Sequence, residues 1–417
     1  MPGDRYTRQV IAPGDAASKI ASDKTLATHA YNPAICVWPQ DPKSFRGAVA
    51  HSWNARILKL MRNNFDSLGR RRRHPFLSAV TQNDGLGGKP QFSALINTPE
   101  AMRGLGHDLI AMAADDMRGC LPVRVDNEIC AQRITKENLP LFEALMDGYS
   151  EACKLAGLVN VTGELAIMRN QIGGFSDRKS DDQLILTWTA SCTGLLYHGY
   201  NLALRKVANS MPIVGLIEDG FRCNGSGWLT NLLLAYYGNL EAVLDDQGAM
   251  DFVASLTIPS RIYCKALARA MGWTPEATIG EPKADIRAAA HITGGGLGKL
   301  GEALPEDLGA YLDNMPDPPK VLLRAQEMSW SSSSVPDDLK LTDEKGYTTL
   351  HGGCGMIVVT ANDEEAAKLI KAVGRYGIKA QIVGRTKFMA GGNNKVTVVS
   401  RYLRKPGQLI YPVKQAT

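Results

Sequence analysis

Four acids stand beside glycines or at the ends of predicted elements: Asp84 in DGLGGK (84–89), Asp108 before LIAM, the adjacent pair Asp115–Asp116, and Glu164 in TGEL. Carboxylates scattered in sequence but converging at strand and helix ends can hold Mg²⁺, which takes oxygen ligands and shares them with nucleotide phosphates. On a helix Asp108 and Asp115 share a face, with Asp116 close to it. The same residues also fit a turn (Asp-Gly) and a solvated helix face (Asp-Asp), and spacing alone leaves both readings open. The second chemistry-bearing stretch is AHITGGG at 290–296, ahead of a predicted helix start. Backbone N–H groups at such a start can cradle a phosphate, and consecutive glycines let a ligand approach the main chain. It is not a Walker A loop: five positions before Gly298 stands Thr293, and Leu300 follows Lys299. His291 reads either as a structural histidine of this apolar stretch or as part of the site. The basic run Arg70–Arg73 reads as a solvated loop or as a phosphate-gripping one.

The elements that must position these residues follow from periodicity. PFLSAVTQNDG reads as a strand that runs into a turn, which puts Asp84 at a strand end. PEAMRGLGHDLIAMAADDMRG has helical spacing and carries Asp108, Asp115 and Asp116. NLPLFEALMDGYSEACKLAG is an amphipathic helix that stops at Gly157, LVNVTGELAIM is a strand, and QLILTWTASCTGLLY is another. From residue 208 the pattern changes to strand, glycine-rich loop and helix (PIVGLIEDGFRCNGSGWLTNLLLAYYG). Near the end GMIVVTANDEEAAKLIKAVGRYGIKAQIVGRT reads strand–helix–strand with Asn362 as N-cap. The polar tract 328–347 reads as a mobile surface loop. Both halves mix strands and helices, so the fold class is α+β, with a domain 1–207 and a domain 208–417.

Composition bounds the function. The chain has 417 residues, 44% hydrophobic and 21% charged, as in an ordinary soluble domain pair. No apolar run is long enough to span a membrane, and the first residues lack the apolar core of a signal peptide. Eight scattered cysteines without a C-x-x-C pair suit a reducing cytoplasm and argue against structural zinc. A net charge of +5 suits anionic small ligands and is too weak to imply nucleic acid. No G-x-S-x-G or H-E-x-x-H motif is present.

Taken in order, these segments resemble one family. DGLGGK (84–89) is similar to its DGVGTK, HDLIAMAADDM (107–117) to IDLVAMCVNDL, TGELAIM (162–168) to GGETAEM, GFRCNG (220–225) to GPHSNG and IPSRIYCK (258–265) to APTRIYVK; AHITGGG (290–296) is identical. GCGMIVV (353–359) and AQIVG (380–384) resemble its closing strands. The family is aminoimidazole ribonucleotide synthetase, also called phosphoribosylformylglycinamidine cyclo-ligase. The resemblance implies two α/β halves, N-terminal sheets paired across a homodimer, and an ATP cleft near that interface. It implies that formylglycinamidine ribonucleotide, activated by ATP at its formyl oxygen, closes to aminoimidazole ribonucleotide in purine biosynthesis. By the same resemblance Asp84, Asp108, Asp116 and Glu164 would serve Mg²⁺, and Asp84, Asp116, Arg222 and His291 the reacting centre. Gly85, Gly87, Lys89, Asp115 and either Lys19 or Lys24 (in AASKIASDK) would line the nucleotide. Asn224, Gly225, Thr293, Gly294, Gly295 and Gly296 would line the cleft from the second half. The chain differs from the family in carrying Arg222 for His, Ile167 for Glu, Asp115 for Asn and His351-Gly352 for Asn-Met, and in lacking a GGFGG segment before Asp84. Another ATP-dependent member of the superfamily with a different acceptor, or a non-catalytic nucleotide-binding relative, is the alternative.

Overall fold

A computed structural model describes residues 12–38, 49–73, 76–389 and 395–410. The chain forms two units, Met1–Asn201 with Gly272–Glu281, and Leu202–Met271 with Pro282–Thr417. The first change of unit lies a few residues before the 207/208 break read from the sequence. The return of 272–281 to the first unit has no counterpart in that reading.

The first unit runs α1 (Ala12–Thr28), β1 (Ile35–Val37), β2 (His51–Trp53), α2 (Ala55–Arg62), β3 (Leu77–Gly85), α3 (Lys89–Ile96), α4 (Pro99–Asp115), β4 (Leu121–Ala131), α5 (Leu139–Ala156), β5 (Val159–Ile167) and β6 (Leu186–Tyr197). Four strands form one sheet in the order β3-β6-β4-β5, with β4 and β5 parallel and the other neighbours antiparallel. Strand β6 alternates as a half-covered strand must: Leu186, Trp188 and Ala190 are buried while Thr187 and Thr189 are exposed. Helices α4 and α5 pack closely on each other, and α4 also contacts β3 and β6. Thr98 caps α4 by accepting from Ala101 N, and Gly157 ends α5 with a left-handed φ of 73°. The two helices approach so closely that a Cβ at Gly106 would overlap the Tyr149 main chain, and one at Gly148 the Arg103 carbonyl. On the other sheet face Thr81, Asn83, Glu128, Glu164, Thr187 and Thr189 are exposed.

The second unit runs β7 (Pro212–Ile217), α6 (Ser226–Tyr237), α7 (Leu240–Asp245), α8 (Gln247–Leu256), α9 (Cys264–Ala270), β8 (Ile286–His291), α10 (Gly298–Glu302) and β9 (Leu308–Leu312). It continues with α11 (Lys320–Ser331), α12 (Asp343–Thr348), β10 (Cys354–Thr360), α13 (Asp363–Gly374), β11 (Ala380–Phe388), β12 (Val396–Val399) and β13 (Leu409–Ile410). Its seven-stranded sheet has the order β13-β12-β9-β11-β7-β10-β8. All seven residues of β10 are buried, as its unbroken apolar run suggests. Asn362 caps α13 by accepting from Glu365 N. Both β7 and β8 run antiparallel to β10, so their C-terminal ends lie on one side of the sheet. The loops after them therefore emerge together.

The tract 328–347 is not a surface loop. It completes α11, contains a short 3-10 turn at Asp337–Leu339 and begins α12. Buried Asp343 accepts from Gln326 Nε2 at 2.8 Å, Ser400 Oγ at 2.6 Å and Lys405 N at 2.9 Å. At Asp343 the polarity satisfies donors of the interior, while Ser333, Ser334, Asp337 and Asp338 are exposed.

Candidate functional site

Asp84 ends β3, half-buried, and its carboxylate accepts from Gly85 N at 2.7 Å. Gln82, two residues earlier and so on the same strand face, donates from Nε2 to Asp116 Oδ2 at 3.0 Å. That bond ties the β3 strand face that Gln82 shares with Asp84 to the C-cap of α4. Asp115 is buried at the last turn of α4.

Lys89 and Asp108 pair with each other. Lys89 starts α3, fully buried, with Nζ 2.8 Å from Asp108 Oδ1, itself fully buried. The expected nucleotide-facing lysine is enclosed, and the expected metal-supporting acid is its partner. Glu164 lies on β5, three strand spacings from β3, or about 14 Å at ordinary sheet spacing. It cannot share one ion with Asp84 within this chain. Among the described residues no three His, Cys, Asp or Glu side chains stand close enough to hold a metal ion. The four acids therefore do not form one cluster among the described residues, and an Mg²⁺ held by one or two carboxylates, with phosphates and water completing its shell, would need only Asp84 with Asp116.

Beside the Asp84 turn, where Gly87 has φ +54°, a cavity of about 170 Å³ is lined by Gly87, Gln91, Gln171, Gly173 and Thr187 among others, without a charged side chain. A larger cavity of about 300 Å³ is lined by Ser18, Ser22, Thr25, Asn127, Thr162 and Glu164 among others. Lys19 is exposed on α1, and Lys24 pairs with Asp147 of α5. Arg70–Arg73 are exposed on a small hairpin, whose Asp66 accepts from Leu68 N and Arg70 N at 2.9 Å.

In the second unit the two glycine loops meet. A Cβ at Gly294 would lie 3.4 Å from Asn224 Nδ2. Asn224 Oδ1 is buried without a hydrogen-bond partner. Each glycine answers a different constraint. Gly294 is exposed beside Asn224; Gly295 has φ +90° in open surroundings; Gly296 has φ +54° and sits against the Tyr347 and Leu350 carbonyls. Gly225 has φ +89°, against Leu350, and Thr293 is half-buried. His351 fastens the arrangement: its Nε2 donates to Gly220 O at 2.9 Å and its Nδ1 accepts from Gly353 N at 3.2 Å.

Arg222 and His291 are not exposed beside Asn224 and Gly294. Each is only 1% exposed. Arg222 Nη1 donates to Glu218 Oε2 at 2.7 Å, and Nη2 lies 2.7 Å from His291 Nε2. Sequence reasoning missed Glu218, Tyr263 and Gln82. The Glu218–Arg222 spacing of four and the alternation of Gln82 with Asp84 are the signals that point to two of them; Tyr263 has none.

Residues 241–395, which include the AHITGGG loop, match the model of the AIR synthase related protein C-terminal domain. Phosphoribosylformylglycinamidine cyclo-ligase of Methanocaldococcus jannaschii is 27% identical over 310 residues, 73% of this chain and 77% of that protein. The enzyme of the same name from Nitrosococcus oceani is 27% identical over 325 residues, 76% of this chain and 78% of that protein. The chain thus resembles these cyclo-ligases over about three quarters of its length and carries an AIR synthase related C-terminal domain at residues 241–395. A solved structure of E. coli HypE, a hydrogenase maturation protein, has a TM-score of 0.50 at 12% identity, over 96% of this chain and 98% of that one. That likeness concerns the fold. Arg222, where the resemblance has His, pairs in this chain with the buried acid Glu218.

Proposed function

We propose that the protein is an ATP-dependent cyclo-ligase that converts formylglycinamidine ribonucleotide to aminoimidazole ribonucleotide, in the cytoplasm and as a homodimer. The observation that carries this reading is the meeting of Asn224 with Gly294, two loops whose sequences the family pairs with one substrate. Relatives that bear the cyclo-ligase name over three quarters of the chain support it. The small molecule is the partner; nucleic acid and membrane are not, and no helix among the described residues is long and apolar enough to cross a membrane.

Bound with Mg²⁺, ATP supplies the phosphoryl group that makes the formyl oxygen a leaving group. Asp84 and Asp116 would hold Mg²⁺ and so balance phosphate charge, which is the main demand of phosphoryl transfer. Asn224 Oδ1, an acceptor without a partner, is poised to take an N–H or O–H of the substrate. Gly294 and Gly295 let the substrate lie against the main chain. The glycine of 296 serves the packing of the loop on Tyr347 instead.

Asn224→Ala tests the assignment: kcat/KM falls about 10- to 100-fold, as for loss of one buried polar contact, with the melting temperature of the unliganded protein little changed. An unaltered kcat/KM would remove Asn224 from the site.

A further inference from the structure

The charged network under the second glycine loop takes no part in the proposed chemistry, yet it is fully enclosed. We propose that Arg222 and His291 are positioning residues: the guanidinium ties the 220–225 loop to the end of β8 and holds His291 neutral, with its proton on Nδ1. The inference deepens the cyclo-ligase reading, on which the meaning of the Asn224–Gly294 contact rests, but the tautomer stands apart from it.

The geometry makes the argument. Arg222 Nη1 donates to Glu218 Oε2 at 2.7 Å and to the Arg261 carbonyl at 3.2 Å. Its guanidinium lies over the Tyr263 ring, 5.5 Å from the centroid. Glu218 also accepts from the Tyr263 hydroxyl at 3.1 Å and from Arg261 N at 3.2 Å. The Arg222 charge is thus fixed by an acid buried to the same degree. A guanidinium stays protonated and only donates. The nitrogen 2.7 Å from its Nη2, His291 Nε2, must therefore present a lone pair. An imidazolium there would set N–H against N–H and cation against cation. Neutral imidazole carries one proton, which leaves it on Nδ1. Nε2 is then occupied by Arg222 and is not a base for the substrate.

The consequence reaches the Asn224–Gly294 contact. Asn224 follows Arg222 by two residues, and Gly294 follows His291 by three. The Arg222–His291 bond fixes the roots of both loops, and with them the approach of the Asn224 amide to Gly294. Room for the guanidinium comes from Gly355 in β10, where a Cβ would press on Arg222 and Tyr263.

The substitution pair that separates positioning from acid–base chemistry is His291→Gln against His291→Asn. The Gln carbonyl can reach the place of Nε2 and accept from Arg222; the Asn carbonyl stops at the place of Nδ1. H291Q should exceed H291N in kcat/KM at least tenfold, chiefly through KM, as expected for one charge-assisted hydrogen bond. Equal loss in both, confined to kcat, would make His291 a catalytic base and overturn the proposal. Long-range ¹⁵N–¹H correlation of imidazole-labelled wild-type protein at neutral pH supplies a readout free of turnover and of any folding defect. One histidine signal, absent from H291Q, should show a protonated Nδ1 and a bare Nε2; an imidazolium or an Nε2–H form at that residue would sink the proposal. If the wild-type protein cyclises nothing, the functional reading fails while the tautomer is still decided.

Discussion

In the first unit Lys89 meets Asp108 at 2.8 Å with neither side chain exposed, and in the second Arg222 meets Glu218 at 2.7 Å under nearly equal burial. The cations differ in what they can join. The lysine ammonium is a point charge at the start of α3, and Asp108 sits on α4, so this pair fastens one helix to another. The arginine fork reaches a carboxylate, a carbonyl and an imidazole at once, and so joins the 218–225 loop, the 261–263 segment and β8. The same device serves scaffold in one region and the meeting of two loops in the other. Removing one partner should therefore be read out differently: as lost stability in the first unit, and as lost affinity as well in the second.

The largest expected effect breaks the first pair. Lys89→Met leaves Asp108 buried without its cation and should cost about 3–5 kcal/mol in thermal or urea unfolding, while Lys89→Met with Asp108→Leu recovers most of it. A loss below about 1 kcal/mol would mean that the pair is not enclosed as described. Next comes the contrast within the glycine loop. Gly296→Ala should cost on the order of 1–3 kcal/mol from its left-handed backbone alone, more with the overlap on Tyr347. Gly294→Ala should stay within about 0.5 kcal/mol of the parent and raise the substrate KM instead. If the two substitutions behave alike in melting and in KM, the division of labour between the glycines is wrong.

Much of the scaffold was legible because it rests on local rules. The buried run of β10, the caps at Asn362 and Gly157, and the helix over 99–115 follow from periodicity and capping. The site was legible only in part. DGLGGK shows a strand end and a turn, and the structure places Asp84 there. What periodicity does not show is that Lys89 turns inward, because a buried charge depends on a partner nineteen residues away. Arg222 looks exposed in a loop rich in Gly and Asn; Glu218 and His291, brought in by the sheet, bury it. Asp343 looks solvated for the same reason: it is polar because Gln326 and the main chain at Lys405 need an acceptor.

A smaller effect concerns acid. Burial lowers the pKa of His29 and of His107 below the ordinary 6.5, against opposing contributions from Asn160 in the first case and from Asp108 and Glu151 in the second. Folded imidazoles then stay neutral while unfolded ones take a proton. This contribution to stability is complete above pH 6.5 and declines as pH falls through 6.5 toward the folded values. The urea midpoint should drop between pH 7.5 and pH 5.5, and His107→Gln should flatten the drop. The smallest effect is expected at the surface hairpin: Arg71→Ala with Arg72→Ala should leave the KM for ATP unchanged, since both side chains stand exposed beside the Asp66 turn. A severalfold rise would give the basic run a role at the phosphates.

The central claim is tested most directly by incubating the intact protein with formylglycinamidine ribonucleotide and MgATP, and following the cyclised product by mass together with ADP. The cyclo-ligase reading predicts both, in equal amounts and only with Mg²⁺, with Asp116→Asn reducing both together. ADP without cyclised product, or nucleotide-dependent thermal stabilisation with no turnover at all, would contradict it.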